Sequence, residues 1–231
     1  MLRKKKPLSM RNELKYSIND LDDRIVSSRL RKIFPHDKHA GSTGSYRINS
    51  LYFDTPNDKA LRQKIDGVSH REKFRIRYYN DDISFIKLEK KLKMDRKNAK
   101  FSSKLTAYEV EKIMNKEIDF LLNSEDELKI EFYTKLRAQL LKPVTVVVYE
   151  REAFSFSPGN VRMTMDRNLR TMTSPHHFLD PDAKLFDVER DFSIFEVKYD
   201  EYLPDIVKMA VQIPNRRSKE NSKYALSRRF D

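Results

Sequence analysis

Lys73-Phe-Arg-Ile-Arg-Tyr-Tyr79, then Asn80-Asp-Asp82, then Ile83-Ser-Phe-Ile-Lys-Leu-Glu-Lys-Lys91 form two runs of alternating charged and apolar residues joined by a turn-like tripeptide. Alternation of this kind is the two-residue period of a β-hairpin. Lys73, Arg75 and Arg77 share one face of the first strand, and Lys87, Glu89 and Lys91 share one face of the second. Phe74, Ile76, Ile86 and Leu88 point the other way. A solvated face would mix Ser, Thr and Gln among its charges. This one carries long cations and a single carboxylate, and like charges directly opposite one another across a sheet are destabilising. The face reads as one that a bound polyanion would stabilise; the plainer alternative is a sheet with one wet side, on which Lys90, Lys91 and Lys93 simply meet solvent.

Composition narrows the polyanion. The chain has 231 residues, a net charge of +12 and no cysteine, so disulfides and thiolate metal sites are excluded. Its 39% hydrophobic content, with 14 Phe and 11 Tyr, supports a folded core despite 35% charged residues. An isoelectric point near 9.6 favours nucleic acid, an acidic membrane surface or a polyphosphorylated molecule as partner. The glycines, Gly41, Gly44, Gly67 and Gly159, do not have the spacing of a P-loop or a dinucleotide fingerprint. Phosphate would have to be held by Lys and Arg side chains. With no signal-peptide pattern and no 18-residue apolar run, the expectation is a soluble, cytoplasmic protein. Residues 1–9 read as a flexible basic tail and 10–231 as one domain.

Other stretches repeat the alternation. Arg11 to Ile18 places Arg11, Glu13 and Lys15 on one face. Asn19 then caps a helix with an apolar stripe of Leu21, Ile25, Leu30 and Ile33, which Pro35 ends. Tyr46 to Asp54 is a strand, followed by a short helix through Ala60, Leu61 and Ile65 that Gly67 closes. Residues 93–104 are strand or loop. Thr106-Ala-Tyr-Glu109 and Ser124-Glu-Asp-Glu127 read as capping boxes, the second opening a helix to about Leu141 on Leu128, Phe132, Leu136 and Leu140. Val144 to Phe156 and Val161 to Arg170 form a second charged hairpin around Ser157-Pro-Gly-Asn160. Ser193 to Tyr199 carries Glu196 and Lys198 on one face. A short helix follows Pro204, and Ser218 or Asn221 caps a last one. His176-His177 lacks partner ligands and reads as loop.

If these strands form one antiparallel sheet closed into a barrel, with helices outside against the apolar face, the charged face lines a lumen. Glu13, Glu89 and Glu196 are then available for a divalent metal. Such a lumen suits linear polyphosphate, because phosphoryl transfer needs mostly positioning and charge neutralisation.

In order along the chain stand Glu13-Leu-Lys15, Arg75-Ile-Arg77, Lys87-Leu-Glu89, Glu150-Arg-Glu-Ala-Phe154, Arg162 within Val161-Arg-Met-Thr-Met-Asp166, Phe195-Glu-Val-Lys198 and Ser222-Lys-Tyr224. From about Met10 to Arg229 this set resembles the vacuolar transporter chaperone (VTC) domain of the triphosphate tunnel, CYTH-like superfamily. The resemblance implies an α+β fold built on an antiparallel eight-stranded tunnel. It implies a polyphosphate polymerase that moves the γ-phosphate of ATP onto inorganic polyphosphate with Mn²⁺ or Mg²⁺. By that similarity Lys15, Arg75, Arg77, Lys87 and Lys198 are the catalytic cations. Arg151, Arg162, Lys223 and Ser222 contact phosphate, with Arg62 as an addition, and Glu196 holds the metal. Two features depart from relatives: Arg11 replaces the first acid of the superfamily's Glu-x-Glu-x-Lys strand, and the inositol-phosphate-sensing domain and membrane helices of longer relatives are not in this sequence. A membrane protein is accordingly a candidate partner for export. Alternatives are a triphosphatase of the same fold, acting on tripolyphosphate, thiamine or RNA 5′-triphosphate, and a non-enzymatic binder of polyphosphate or nucleic acid. Nucleic acid is disfavoured because the aromatics alternate away from the basic face.

Overall fold

A computed structural model describes residues 11–41, 43–94, 97–214, 216, 218 and 222–229. The tail 1–9 and the candidate cap Asn221 lie outside these residues. In chain order the elements are β1 (Asn12–Ile18), α1 (Asp20–Ile33), β2 (Ser45–Asp54), α2 (Lys59–Ile65), β3 (His70–Tyr79), β4 (Asp82–Met94) and β5 (Lys97–Leu105). After these come α3 (Ala107–Met114), α4 (Asp119–Leu122), α5 (Glu127–Ala138), β6 (Lys142–Phe156), β7 (Val161–Met172), β8 (Leu185–Asp187), β9 (Ser193–Tyr199), α6 (Asp205–Ala210) and α7 (Lys223–Ser227).

The strands make one antiparallel sheet in the order β1-β9-β7-β6-β2-β3-β4-β5, with β8 paired to β7. The opening hairpin is β3–β4. It turns on Asn80, whose φ of +52° suits an Asn, and pairs Arg75 with Glu89 and Arg77 with Lys87. Among the described residues no ladder joins β1 to β5, so the eight-stranded closed barrel is seen instead as an open, curled sheet of nine strands. A local reason is visible at the β1 edge, where the Lys15 backbone N–H donates to Ser218 Oγ rather than to a strand.

Apolar residues of the alternating strands face outward under helices. Leu51, Phe53, Phe74, Ile76 and Leu88 pack beneath α3 and α5, with Phe132 of α5 edge-on to Phe53 and stacked on Phe74. Phe154, Met163, Phe195 and Val197 pack beneath α1 and α6. A third cluster fills part of the inner face, where Ile48, Tyr52, Val147 and Tyr149 meet Tyr224 of α7. The expectation that every helix lies outside is therefore corrected by α7, and so is the expectation that the aromatics alternate away from the cations, because Tyr52 and Tyr149 lie among Arg75, Arg151 and Lys223.

Asn19 caps α1, its side chain accepting from the Asp22 N–H at 2.9 Å, but the expected stripe is largely wrong. Leu21, Ile25 and Ile33 are exposed, while Asp23, Val26, Ser27 and Leu30 are buried. The helix turns this way because Arg167 of β7 grips the Asp23 carboxylate at 2.6 and 2.7 Å. The Thr106–Glu109 box is present, whereas Asp126, not Ser124, caps α5. That helix ends at Ala138 and leaves Leu140 exposed. Residues 97–105 are strand, and His176 and His177 sit in a 3₁₀ turn. No helix among the described residues is long and apolar enough to cross a membrane.

Candidate functional site

Register decides which charges meet. Across β1–β9 Glu13 lies opposite Lys198 and Lys15 opposite Glu196; across β9–β7 Lys198 lies opposite Arg162 and Glu196 opposite Thr164. Across β7–β6 Asp166 lies opposite Arg151. Together with Arg75, Arg77 and Lys87 of the hairpin, these side chains share the concave face. The curl is wide enough to couple opposite walls: Lys91 of β4 lies in the electrostatic field of Lys15, Lys198 and Glu196, and Lys73 of β3 in that of Lys15.

Each inward carboxylate is shared by several cations. Glu13 takes Lys15 Nζ at 3.0 Å and Lys198 Nζ at 3.4 Å, and Lys198 also pairs closely with Glu196. Burial would raise the Glu196 pKa, but Lys198, a hydrogen bond with Glu13, and Lys15 hold it well below the usual carboxylate range. Arg151 makes a two-pronged contact with Asp166 at 2.6 and 2.7 Å, and Lys223 of α7 reaches the same carboxylate at 2.5 Å. Glu89, named as a metal candidate, has its carboxylate occupied by Arg75 at 2.5–2.7 Å, by Lys100, and by Arg77 at 3.8 Å. Lys90, which the wet-face alternative placed in solvent, is buried and pairs with Glu72 and Glu131 on the convex side.

The surplus of cations perturbs its own members. Burial first, then Arg71, Arg75 and Lys15, push Lys73 down to about 8. Solvent reaches Lys91, yet enclosure by protein and the charges of Arg75 and Lys198 push its ammonium well below the ordinary lysine value. Burial would raise the Tyr52 phenol, but Arg75, Arg77 and Lys73 bring it down to about 8. Desolvated like charges that depress one another in this way are what a polyanion relieves.

Other candidates sit nearer the margins. Arg162 donates to Tyr46 OH at 2.9 Å and pairs with Asp37 at 2.8 Å. The Lys87 ammonium lies over the Phe85 ring, 4.5 Å from its centroid, and Arg62 is exposed on α2. Ser222 caps α7 and its Oγ accepts from Lys73 Nζ at 3.4 Å. Arg11 pairs with Asp200 at 3.1 Å at the end of the β1–β9 ladder. Four participants went unassigned in the sequence reading: Lys73, Lys91, Asp166 and Tyr52. Phase alone could have found the first three, since each alternates onto the same face as an assigned neighbour. A cavity of about 600 Å³ lies on the convex side beside α1, where Asp23, Arg31 and Arg167 are already engaged in ion pairs.

The family profile that matches is the VTC domain, over residues 10–230. The chain belongs to the VTC domain family. Among solved structures, this VTC domain is similar to a candidate adenylate cyclase from Bacillus halodurans, with a TM-score of 0.50 and 12% identity over 94% of this chain and 96% of that one. It is also similar to the PH1819 protein from Pyrococcus horikoshii OT3, with a TM-score of 0.42 and 13% identity over 87% and 84% of the two chains. No curated protein sequence matches the VTC domain described here.

Proposed function

We propose that this VTC domain is a polyphosphate polymerase that transfers the γ-phosphate of ATP to a growing inorganic polyphosphate, pyrophosphate or tripolyphosphate serving as short acceptors. The observation that carries the reading is the concave face itself: cations from β1, β3, β4, β6, β7, β9 and α7 converge on it, and Glu13, Glu89 and Asp166 are each divided among two or more cations. The net positive charge left over matches a linear chain of phosphates.

In this reading Lys15 and Lys198 hold the reacting phosphates beside Glu13 and Glu196. Arg75 and Arg77, fixed by Glu89, Tyr52 and Ser50, neutralise charge that develops on the transferred phosphoryl group. Lys87, Arg151, Arg162, Lys223, Ser222 and Arg62 hold the chain on either side. Because these donors are already oriented by protein partners, little reorganisation accompanies transfer. Glu13 and Glu196 offer two carboxylates on neighbouring strands, and among the described residues no third acid or histidine joins them. That set fits Mg²⁺ or Mn²⁺, which commonly takes one or two carboxylates and completes its shell with phosphate oxygens and water. Bound there, the ion would neutralise the phosphate oxygens nearest the reacting bond.

A triphosphatase is disfavoured by one feature: Arg11 stands where a further acid would be needed and is turned to Asp200. Purified protein given ATP and Mn²⁺ is expected to produce a ladder of long polyphosphate on gels, and Lys15→Ala or Glu196→Ala to abolish it. Free phosphate without polymer would favour the triphosphatase; salt-dependent polyphosphate binding with neither product would leave only a binding module.

A further inference from the structure

Helix α7 brings Ser222 and Lys223 to the concave face, yet it spans five residues, far too few for a helix to hold itself together in water. Its position must come from tertiary contacts. We infer that Asp54, acting through the Tyr224 hydroxyl, is the positioning residue that fixes α7 and so sets Ser222 and Lys223 in the phosphate-binding face. The functional half of this inference rests on the proposed reading of those two residues as phosphate contacts.

Asp54 closes β2 and is fully buried. Its Oδ1 accepts from the Thr55 and Ala60 N–H groups, both at 2.8 Å, and its Oδ2 accepts from the Leu61 N–H at 3.1 Å and the Tyr224 hydroxyl at 2.5 Å. With four donors the carboxylate has no capacity left for metal or phosphate. Its work is to join three elements. It satisfies amides at the start of α2, where Asp58, in the left-handed region at φ +53°, makes no side-chain cap, and it holds α7 by Tyr224. Arg228 closes the loop from the other side, donating to Tyr224 OH at 3.2 Å and to Asp58 at 2.9 Å.

Tyr224 is the hinge point of the arrangement. Its ring stacks on Tyr52, with centroids 5.1 Å apart, and the Lys73 ammonium lies 5.5 Å from its centroid. One residue before it, Lys223 reaches Asp166 and lies over the Tyr149 ring at 4.8 Å. Two residues before it, Ser222 Oγ receives Lys73. If the hydroxyl contact is lost, α7 loses its tie to the end of β2, and the ring stack with the Lys223–Asp166 and Arg228–Asp58 pairs holds the register of both side chains less tightly.

Tyr224→Phe keeps the ring and removes only the hydroxyl, and Asp54→Asn is the second variant. Hydrogen exchange of residues 223–228 is expected to speed up in both while the amides of β2, β3 and β6 stay protected. Tripolyphosphate affinity, read by calorimetry, is expected to fall about tenfold, which corresponds to about 1.4 kcal/mol. Tyr224→Phe combined with Lys223→Ala should bind within about twofold of Lys223→Ala alone, whereas combined with Arg162→Ala the two losses should multiply. Unchanged exchange in Tyr224→Phe, or equal multiplication in both pairs, would overturn the anchor. If the wild-type protein does not bind tripolyphosphate, the reading of the face as a phosphate site fails, and the exchange of 223–228 by itself decides whether Asp54 anchors α7.

Discussion

Asp166 shows how a single carboxylate can be both structural and provisional. It is buried, and although burial works against its ionised form, Arg151 and Lys223 hold its pKa below the ordinary aspartate value. Removing one partner of such a buried group leaves uncompensated charge, which costs about 3–5 kcal/mol. Asp166→Asn is therefore expected to lower unfolding free energy by that order in the ligand-free protein. Tripolyphosphate can stand in for the lost carboxylate between the two cations, so it should stabilise Asp166→Asn more than wild type. Urea unfolding with and without tripolyphosphate checks this, and an equal gain in both proteins would show that phosphate does not approach Arg151 and Lys223. At this scale the assigned cations were legible because alternation puts them in phase. Which carboxylate each of them meets was not, since a pairing such as Arg151 with Asp166 depends on the β6–β7 register.

Among the elements, α1 owes its orientation to charges rather than to its apolar stripe. Glu152 of β6 receives Arg31 at 2.6 and 2.8 Å, Arg167 at 2.9 Å and His36 at 3.0 Å, while Arg167 also holds Asp23. Burial would raise the Glu152 carboxyl, but these donors bring it from an ordinary value of 4.5 to about 2. A carboxylate with a depressed folded pKa contributes stability that is present above its unfolded value and lost as pH falls through the folded one. Glu152→Gln is thus expected to be less stable than wild type at neutral pH, with the difference shrinking between pH about 4.5 and about 2. Denaturant midpoints across that range measure it, and a constant difference would refute the clasp. The exposed Leu21, Ile25 and Ile33 follow from the same clasp: periodicity proposes a face, and the Asp23–Arg167 and Arg31–Glu152 pairs choose another. The β3–β4 hairpin had no such competition, and its face and turn came out as the alternation indicated.

For the whole molecule, a curled sheet gathers an excess of cations inward, where burial first and neighbouring cations second depress Lys73 and Lys91. A ligand at about one hundred times its dissociation constant stabilises a fold by about 2.7 kcal/mol. At about 2–4 °C per kcal/mol for a chain of this size, tripolyphosphate is expected to raise Tm by about 5–11 °C. The shift should shrink as sodium chloride screens the face. Thermal scans at low and high salt test this; no shift at low salt would remove the polyanion from the reading of the concave face.

The sequence by itself determined a set of alternating β-strands, several with one cationic side, with helices between them, because a period of two is local and survives any tertiary arrangement. It also determined what could not hold phosphate here, since glycine loops need particular residues at particular spacings. Only the tertiary structure decided which cations share a carboxylate, that Glu89 serves Arg75, Arg77 and Lys100, and that α7 lies inside the curl. It also decided that, among the described residues, no ladder joins β1 to β5. These follow from register, curl and helix docking, which depend on contacts between residues far apart in the chain and leave no periodic mark on the sequence.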